Sequence, residues 1–359
     1  MVESGNYSMD LKTFLKEVTA ISGTPGYEKP VAEYIAKVFE PLCDEVTLDH
    51  LYDVIAVKGK KEGERRPRFI ICAHQDEIGM VVTDIEDDGC VRITRTGGVD
   101  PRILPAMEVN ILTKDGPLYG VVGAKAPHLV SAAEKNQSIQ FPTLYIDVGM
   151  KAEDVRSRVR VGDQVIMIGK TVELADGRMA GKTMDDRACV GAMMECAKNL
   201  SYMNVPAEVY MVATTKEEVG GWGASATTYN LEPDVAIVVD VTHGEGPGTG
   251  KFEAFPLDKP TVSLGPNLHP MLTKKLRETA KKHRIDYALE VTGGGTTGTD
   301  ASSTNISRGG LPSVLISVPL KYMHTTVEML SVETLREVGR LMALFISELT
   351  REWEDLKWF

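Results

Sequence analysis

Hydrophobic and polar positions follow two patterns along this chain of 359 residues, and the patterns divide it into three parts. In the first and last parts, short and wholly apolar runs alternate with longer stretches whose apolar residues recur at helical spacing. The apolar runs predict buried strands at Arg68–Cys72, Glu208–Thr214, Val235–Val239 and Val314–Val318. Such alternation is typical of an α/β sheet that carries helices on both faces. A final amphipathic helix is predicted over Val332–Arg351, with Ser331 as its N-cap.

The middle part, roughly Ile78–Met179, has a different pattern of short strands separated by turn signals such as Asp115-Gly116. The predicted strands are Met80–Thr83, Val91–Thr94, Val109–Leu112, Leu118–Val122 and Gln164–Ile168. We interpret this part as a small β-barrel-like domain inserted into the α/β domain. The predicted organisation is therefore an α/β domain formed by residues 1–77 and 180–359, interrupted by an insert at residues 78–179.

Composition restricts the classes of function. The net charge of -11 argues against nucleic acids or anionic membranes as principal partners. Five scattered cysteines with no CxxC spacing fit a reducing cytoplasm better than a secreted disulfide framework. We also expect no signal peptide, and no apolar stretch is long enough to span a bilayer.

Polar side chains that can bind metal or transfer protons stand where the predicted strands end. His74 and Asp76 follow the first strand, Glu217 and Glu218 the second, Asp240 the third and His324 the fourth. Carboxylates beside an apolar strand are costly unless something positive compensates them. Histidines and carboxylates gathered at one edge of a sheet therefore predict a hydrolytic site with two metal ions.

Each motif also has a simpler interpretation. Asp185 and Asp186 open a helical segment, where acidic residues are good capping groups, but a helix start is also a rigid base for a bridging carboxylate. In the His74–Asp76 pair, the imidazole binds metal and the carboxylate holds its other nitrogen, unless the pair is only a surface loop. Of Glu217 and Glu218, one can bind metal while the other acts as general base, unless both lie in a solvated turn.

Six sequence motifs, taken in order, carry a resemblance to a known family. They are AHQDEIG, GKTMDDR, KEEVGGWGA, VVDVTHG, GTDAS and YMHTTVE. With them, the chain resembles the co-catalytic metallo-aminopeptidases of the tetrahedral-aminopeptidase and glutamyl-aminopeptidase family, over nearly its whole length and with the insert in the matching position. Lys321 departs from the pattern, since arginine is expected before Tyr322-Met323-His324.

The resemblance implies a zinc-aminopeptidase-like fold with a mixed sheet, and a role for each site residue. Two divalent metal ions bind per chain, zinc or cobalt in preference, with manganese also compatible. Asp185 bridges both ions, His74 and Asp240 complete one site, and Glu218 and His324 complete the other. Glu217 is the general base on a metal-bridging water, and Asp76 orients His74. The family also implies peptide substrates and self-association of dimers into a shell of twelve subunits.

Three other functions compete with this one. A related two-metal carboxypeptidase or deacylase shares the ligand order, but its small domain usually follows the glutamate pair, whereas here the insert separates His74 from Asp185. An endoglucanase needs two carboxyl groups about 5–9.5 Å apart across a glycosidic bond, which adjacent Glu217 and Glu218 are poorly placed to provide. A non-catalytic metal-binding scaffold has no use for the second acid of that pair.

Overall fold

The computed structural model describes residues 9–61, 63–125, 127–131, 138–250, 253–293 and 297–355. Within these residues, eight strands form one mixed sheet. In spatial order they are β1 (Glu45–Leu48), β2 (Val54–Lys58), β12 (Glu208–Thr214), β3 (Arg68–His74), β13 (Val235–His243), β16 (Ser313–Leu320), β14 (Thr261–Leu264) and β15 (Ala288–Val291). The four strands predicted from apolar runs are its four central strands, β12, β3, β13 and β16.

Helices cover both faces of this sheet. They are α1 (Leu11–Val18), α2 (Lys29–Phe39), α4 (Met184–Leu200), α5 (Trp222–Leu231), α6 (Pro270–Lys282), α7 (Ala301–Thr304) and α8 (Val332–Arg351). Successive side chains of a strand point to opposite faces. In β3, Phe69 and Ile71 accordingly join the apolar core that includes α4 and α8, while Ile70 and Cys72 join the core on the other face. Burial on both faces explains why these strands are continuously apolar, and the predicted α/β class is confirmed.

The middle of the chain forms a closed six-stranded barrel. Its strands are β4 (Gly79–Ile85), β5 (Val91–Thr96), β6 (Glu108–Thr113), β7 (Gly116–Val122), β8 (Ile146–Asp147) and β9 (Gln164–Met167), and the short helix α3 (Ala152–Arg158) accompanies them. All five predicted strands are present. The pattern missed β8, because two residues are too few to show an alternation. The barrel has an apolar core of its own, separate from the two cores of the large sheet.

Two helices, α8 and α4, begin in different ways. Helix α8 begins as predicted, with Ser331 Oγ accepting a hydrogen bond from the Thr334 amide. Helix α4 differs from expectation, because Asp185 and Asp186 at its start have non-helical backbone angles and the peptide bond between them is cis. The regular helix therefore begins only after the two acids. Three short strands, β10 (Val172–Glu173), β11 (Arg178–Gly181) and β17 (Glu328–Ser331), form a separate sheet beside this point.

None of the helices in the described parts of the chain combines the length and the apolar character that a membrane crossing requires.

Candidate metal centre

The predicted site residues meet at the carboxyl ends of the central parallel strands. His74 ends β3 and pairs in register with Thr214, the last residue of β12, so Glu217 and Glu218 follow immediately beside it. Asp240 lies on β13, two residues beyond the Val238–Cys72 pair that joins it to β3. In open α/β sheets, ligands bind outside this edge. Topology alone therefore brings together side chains that are far apart in sequence.

Asp185 lies at the centre of the cluster and faces two imidazoles. Its Oδ1 atom is 3.0 Å from His74 Nε2, and its Oδ2 atom is 3.2 Å from His324 Nε2. Glu218 Oε1 approaches His324 Nε2 to 3.3 Å. One carboxylate thus presents a separate oxygen to each of two histidines, which is the arrangement expected of a bridging ligand.

The hydrogen bonds of the two imidazoles leave their inward nitrogens free to bind a cation. His74 Nδ1 lies 3.2 Å from the Asp76 carbonyl oxygen, and His324 Nδ1 lies 3.2 Å from the Gly98 carbonyl oxygen. Carbonyl oxygens only accept, so each Nδ1 donates, and in the neutral ring each Nε2 carries a lone pair. That lone pair and the facing carboxylate oxygens can bind the same cation. Two ligand atoms held 2.0–2.1 Å from a tetrahedral ion stand about 3.3 Å apart, close to the separations observed. The donor set therefore fits divalent metal ions.

Asp76 holds the glutamate pair as well as the histidine. Its two carboxylate oxygens accept hydrogen bonds from the amides of Glu217 and Glu218, at 3.1 and 3.2 Å. The imidazole of His74 lies closer to the carbonyl oxygen of Asp76 than to its carboxylate, which is 3.5 Å away. The fully buried carboxylate thus fixes the turn that presents Glu217 and Glu218, a function not foreseen from the sequence.

Asp186, which the sequence analysis left without a role, also belongs to the cluster. Among the described residues, two groups have ligand atoms that all lie within 4.8 Å of one another: His74 with Asp185 and Glu218, and His74 with Asp186 and Asp240. One Asp186 oxygen accepts the His74 amide at 3.2 Å, and the other is buried without a hydrogen-bond partner. Asp186 therefore holds the His74 backbone and also places a second carboxyl group beside that of Asp240.

Crowding of buried carboxylates dominates the electrostatics. Burial raises the pKa of Glu217 to about 10, and it raises the pKa values of Asp186 and Asp240 well above their ordinary range. Burial alone would lower the pKa of His324, but hydrogen bonding to Asp185 and Glu218 raises it to about 11. The ionised forms of these carboxyl groups are therefore unfavourable unless positive charge compensates them, and divalent cations supply that charge.

Glu328 supports the centre from behind and was missed by the sequence analysis. Its buried carboxylate accepts hydrogen bonds from the Asp185 amide at 3.1 Å and from the His324 amide at 2.8 Å. It reaches both because β17 pairs with β11, the strand that leads to Asp185. In the sequence it ends the YMHTTVE motif, four residues after His324, but that position does not distinguish a buried support from a surface charge.

The barrel reaches the centre through two glycines in the loop after β5. A Cβ atom on Gly98 would lie 2.5 Å from the His324 ring, and one on Gly97 would lie 3.3 Å from Glu218 Oε2. Gly97 also has a φ of +79°, which disfavours other residues. The inserted barrel therefore forms one wall of the site at the two residues predicted to share a metal ion.

A cavity of about 600 Å³ opens over the cluster. Its lining includes the five predicted metal ligands and Glu217, and it extends to hydroxyl-bearing residues on the sheet and near α7. No lysine or arginine lines it among the residues that the structure describes. The cavity is thus acidic, with room for a substrate residue beside the candidate metal centre.

Comparison with known proteins gives a consistent result. Residues 54–341 match the model of a family described as M42 glutamyl aminopeptidase. A lysyl aminopeptidase of Pyrococcus furiosus is 32% identical over 341 residues, which cover 93% of this chain and 96% of the relative.

Solved structures of similar proteins agree with this family match. An aminopeptidase of the archaeon Desulfurococcus kamchatkensis superposes with a TM-score of 0.87 at 33% identity, covering 96% of each chain. The TET1 peptidase of Pyrococcus horikoshii, described as assembling into a tetrahedron or a large octahedral shell, gives 0.82 at 30% identity and covers 95% of this chain and all of its own.

Proposed function

Since this chain belongs to the M42 glutamyl aminopeptidase family, we propose that it removes the N-terminal residue from peptides by means of two divalent metal ions. One observation supports two metal ions per chain: the two oxygens of Asp185 face His74 and His324 separately. Asp185 would hold both ions, His74 and Asp240 would complete one site, and Glu218 and His324 the other. Zinc and cobalt suit these mixed nitrogen and oxygen ligands best, and manganese is also compatible.

Glu217 is the proposed general base. The bound ions would polarise the peptide carbonyl and make water more acidic. Glu217 lines the cavity, and its Oε2 atom lies 3.9 Å from His74 Nε2, so it is at the cluster without being among its closest contacts. We assign it the transfer of a proton from the attacking water to the nitrogen of the departing amine. Asp76 positions it through the amide hydrogen bond.

The charge of the cavity favours an aminopeptidase over the two-metal carboxypeptidase alternative. Recognition of a C-terminal carboxylate commonly uses arginine or lysine, and neither lines the described cavity. The lining instead has Glu217, a carboxylate assigned to neither metal ion, which suits a site for the amino group of a peptide N-terminus. The endoglucanase alternative leaves His74 and His324 without a role.

Metal dependence and the reaction can be tested together. A chelator should abolish the cleavage of aminoacyl-anilides, and zinc, cobalt or manganese added to the stripped protein should restore it. Cellulose and peptides with a blocked N-terminus and a free C-terminus serve as controls and should remain uncut. Full activity after the protein has been shown by elemental analysis to be metal-free would overturn the proposal.

We further propose that the chain forms dimers that assemble into a dodecamer, with the insert at residues 78–179 making much of the contact. Two observations support this: the assembly of the TET1 peptidase, and exposed apolar side chains on and near the barrel strands, among them Tyr119, Val121 and Val161. Light scattering of active protein should give a mass close to twelve chains; an active monomer would contradict the assembly.

A cytoplasmic location remains our prediction, and the five cysteines, all free thiols, agree with it.

A further inference from the structure

A fifth carboxylate of the cavity lining, Glu290 on β15, takes no part in the metal cluster. Hydroxyl groups from three neighbouring strands surround it. Its Oε1 atom accepts a hydrogen bond from Thr242 at 2.6 Å. Its Oε2 atom accepts from Ser263 at 2.9 Å, Thr261 at 3.0 Å and Ser317 at 3.3 Å. The carboxylate is therefore held in one position by four neutral donors.

Strand register places this carboxylate within reach of the candidate metal centre. Ser317 pairs with Asp240 across β16 and β13, and Thr261 pairs with Ser317 across β14 and β16. Ser263 and Glu290 are paired in the same way, so all these side chains share one face of the sheet. Thr242, which binds Glu290 directly, lies two residues beyond Asp240, or about 6.6 Å along the strand.

Glu290 has hydrogen bonds but no counter-charge. None of the ion pairs formed among the described residues includes it, and the described lining of the cavity offers it no lysine or arginine. A carboxylate in a partly enclosed site is stabilised by an opposite charge more than by hydroxyls alone. The hydroxyl cage orients the group, and the cavity leaves one side of it open.

We propose that Glu290 selects substrates whose N-terminal residue has a long basic side chain, lysine or arginine. This inference rests on the proposed function, because it requires the peptide N-terminus to lie at the metal cluster. From there the side chain would run along the sheet face past Leu315, which lines the same cavity and can contact the apolar stem. The cationic head would then meet Glu290, and acidic side chains would be repelled.

The test compares anilides of lysine, arginine, norleucine and glutamate on the unmodified protein. Norleucine has the same four-carbon stem as lysine and lacks the ammonium group, so the lysine-to-norleucine ratio of kcat/KM isolates the charge. We expect this ratio to be roughly 10 to 100, the range for a hydrogen bond to a charged group, and glutamate to be the poorest substrate. A ratio near one, or a preference for glutamate, would overturn the selection by Glu290.

Glu290→Gln should then reduce the lysine-to-norleucine ratio towards one, while Glu278→Gln, which removes an exposed charge on α6, should leave it unchanged. If the lysine-to-norleucine ratio of kcat/KM stays unchanged in Glu290→Gln, another group recognises the positive charge and the proposal is wrong. Because the wild-type ratio needs no variant, poor folding of Glu290→Gln does not affect the first result. Failure to cleave any anilide would instead refute the aminopeptidase function itself.

Discussion

Glu217→Gln is expected to lose about 10²–10⁴-fold in kcat, because glutamine keeps the shape of the side chain but cannot take a proton from the attacking water. The amide hydrogen bond from residue 217 to Asp76 involves only the main chain and should persist. Metal content and KM should therefore stay close to those of the wild type. Steady-state kinetics together with elemental analysis measure all three quantities.

The neighbouring Glu218→Gln is the matched control, since it makes the same chemical change one residue away. Glu218 approaches His324 Nε2 to 3.3 Å, so this variant should weaken one metal site, and excess metal should partly restore its activity. If Glu217→Gln loses metal while Glu218→Gln retains it, the two roles are exchanged.

Asp185→Ala should empty both metal sites at once, with loss of nearly all activity. The two oxygens of Asp185 are the shared contact of His74 and His324, and no other described carboxylate faces both rings at such distances. The hydrogen bond that Glu328 accepts from the Asp185 amide is independent of the side chain and should survive. Elemental analysis after gel filtration should therefore find less than one metal ion per folded chain.

Asp240→Ala provides the contrast, because it should remove only the ion shared with His74. Circular dichroism of both variants checks that the fold is retained. Two ions per chain in Asp185→Ala would disprove the bridging role, and loss of both ions in Asp186→Ala instead would assign that role to Asp186.

The sequence predicted those parts of the fold and site that depend on local pattern. Strands buried on both faces, such as β3, appear as apolar runs, and a polar residue directly after such a run must lie at the sheet edge. His74, Asp240 and the glutamate pair could therefore be found from the sequence. The two-residue strand β8 could not, because its position is determined by the strands on either side of it.

Other features depend on contacts between distant segments. Asp186 resembles a helix-capping residue in the sequence, and only the non-helical start of α4 reveals that it faces His74 and Asp240. Glu290 follows no distinctive motif, and Glu328 ends the YMHTTVE motif without any sign in the sequence that it is buried. Their positions come from the pairing of β17 with β11 and of β15 with β14, and long-range strand pairing is not encoded in short-range periodicity.

Gly97 and Gly98, in the barrel loop after β5, limit which barrels can be combined with this α/β part in a chimeric protein. Gly97 and Gly98 belong to the barrel, yet each leaves room for a side chain that stands on the α/β part. A chimera that receives its barrel from a relative must keep glycine at both positions, because even the methyl group of alanine would press on Glu218 or His324. Barrel and sheet are therefore expected to evolve as one unit around this loop.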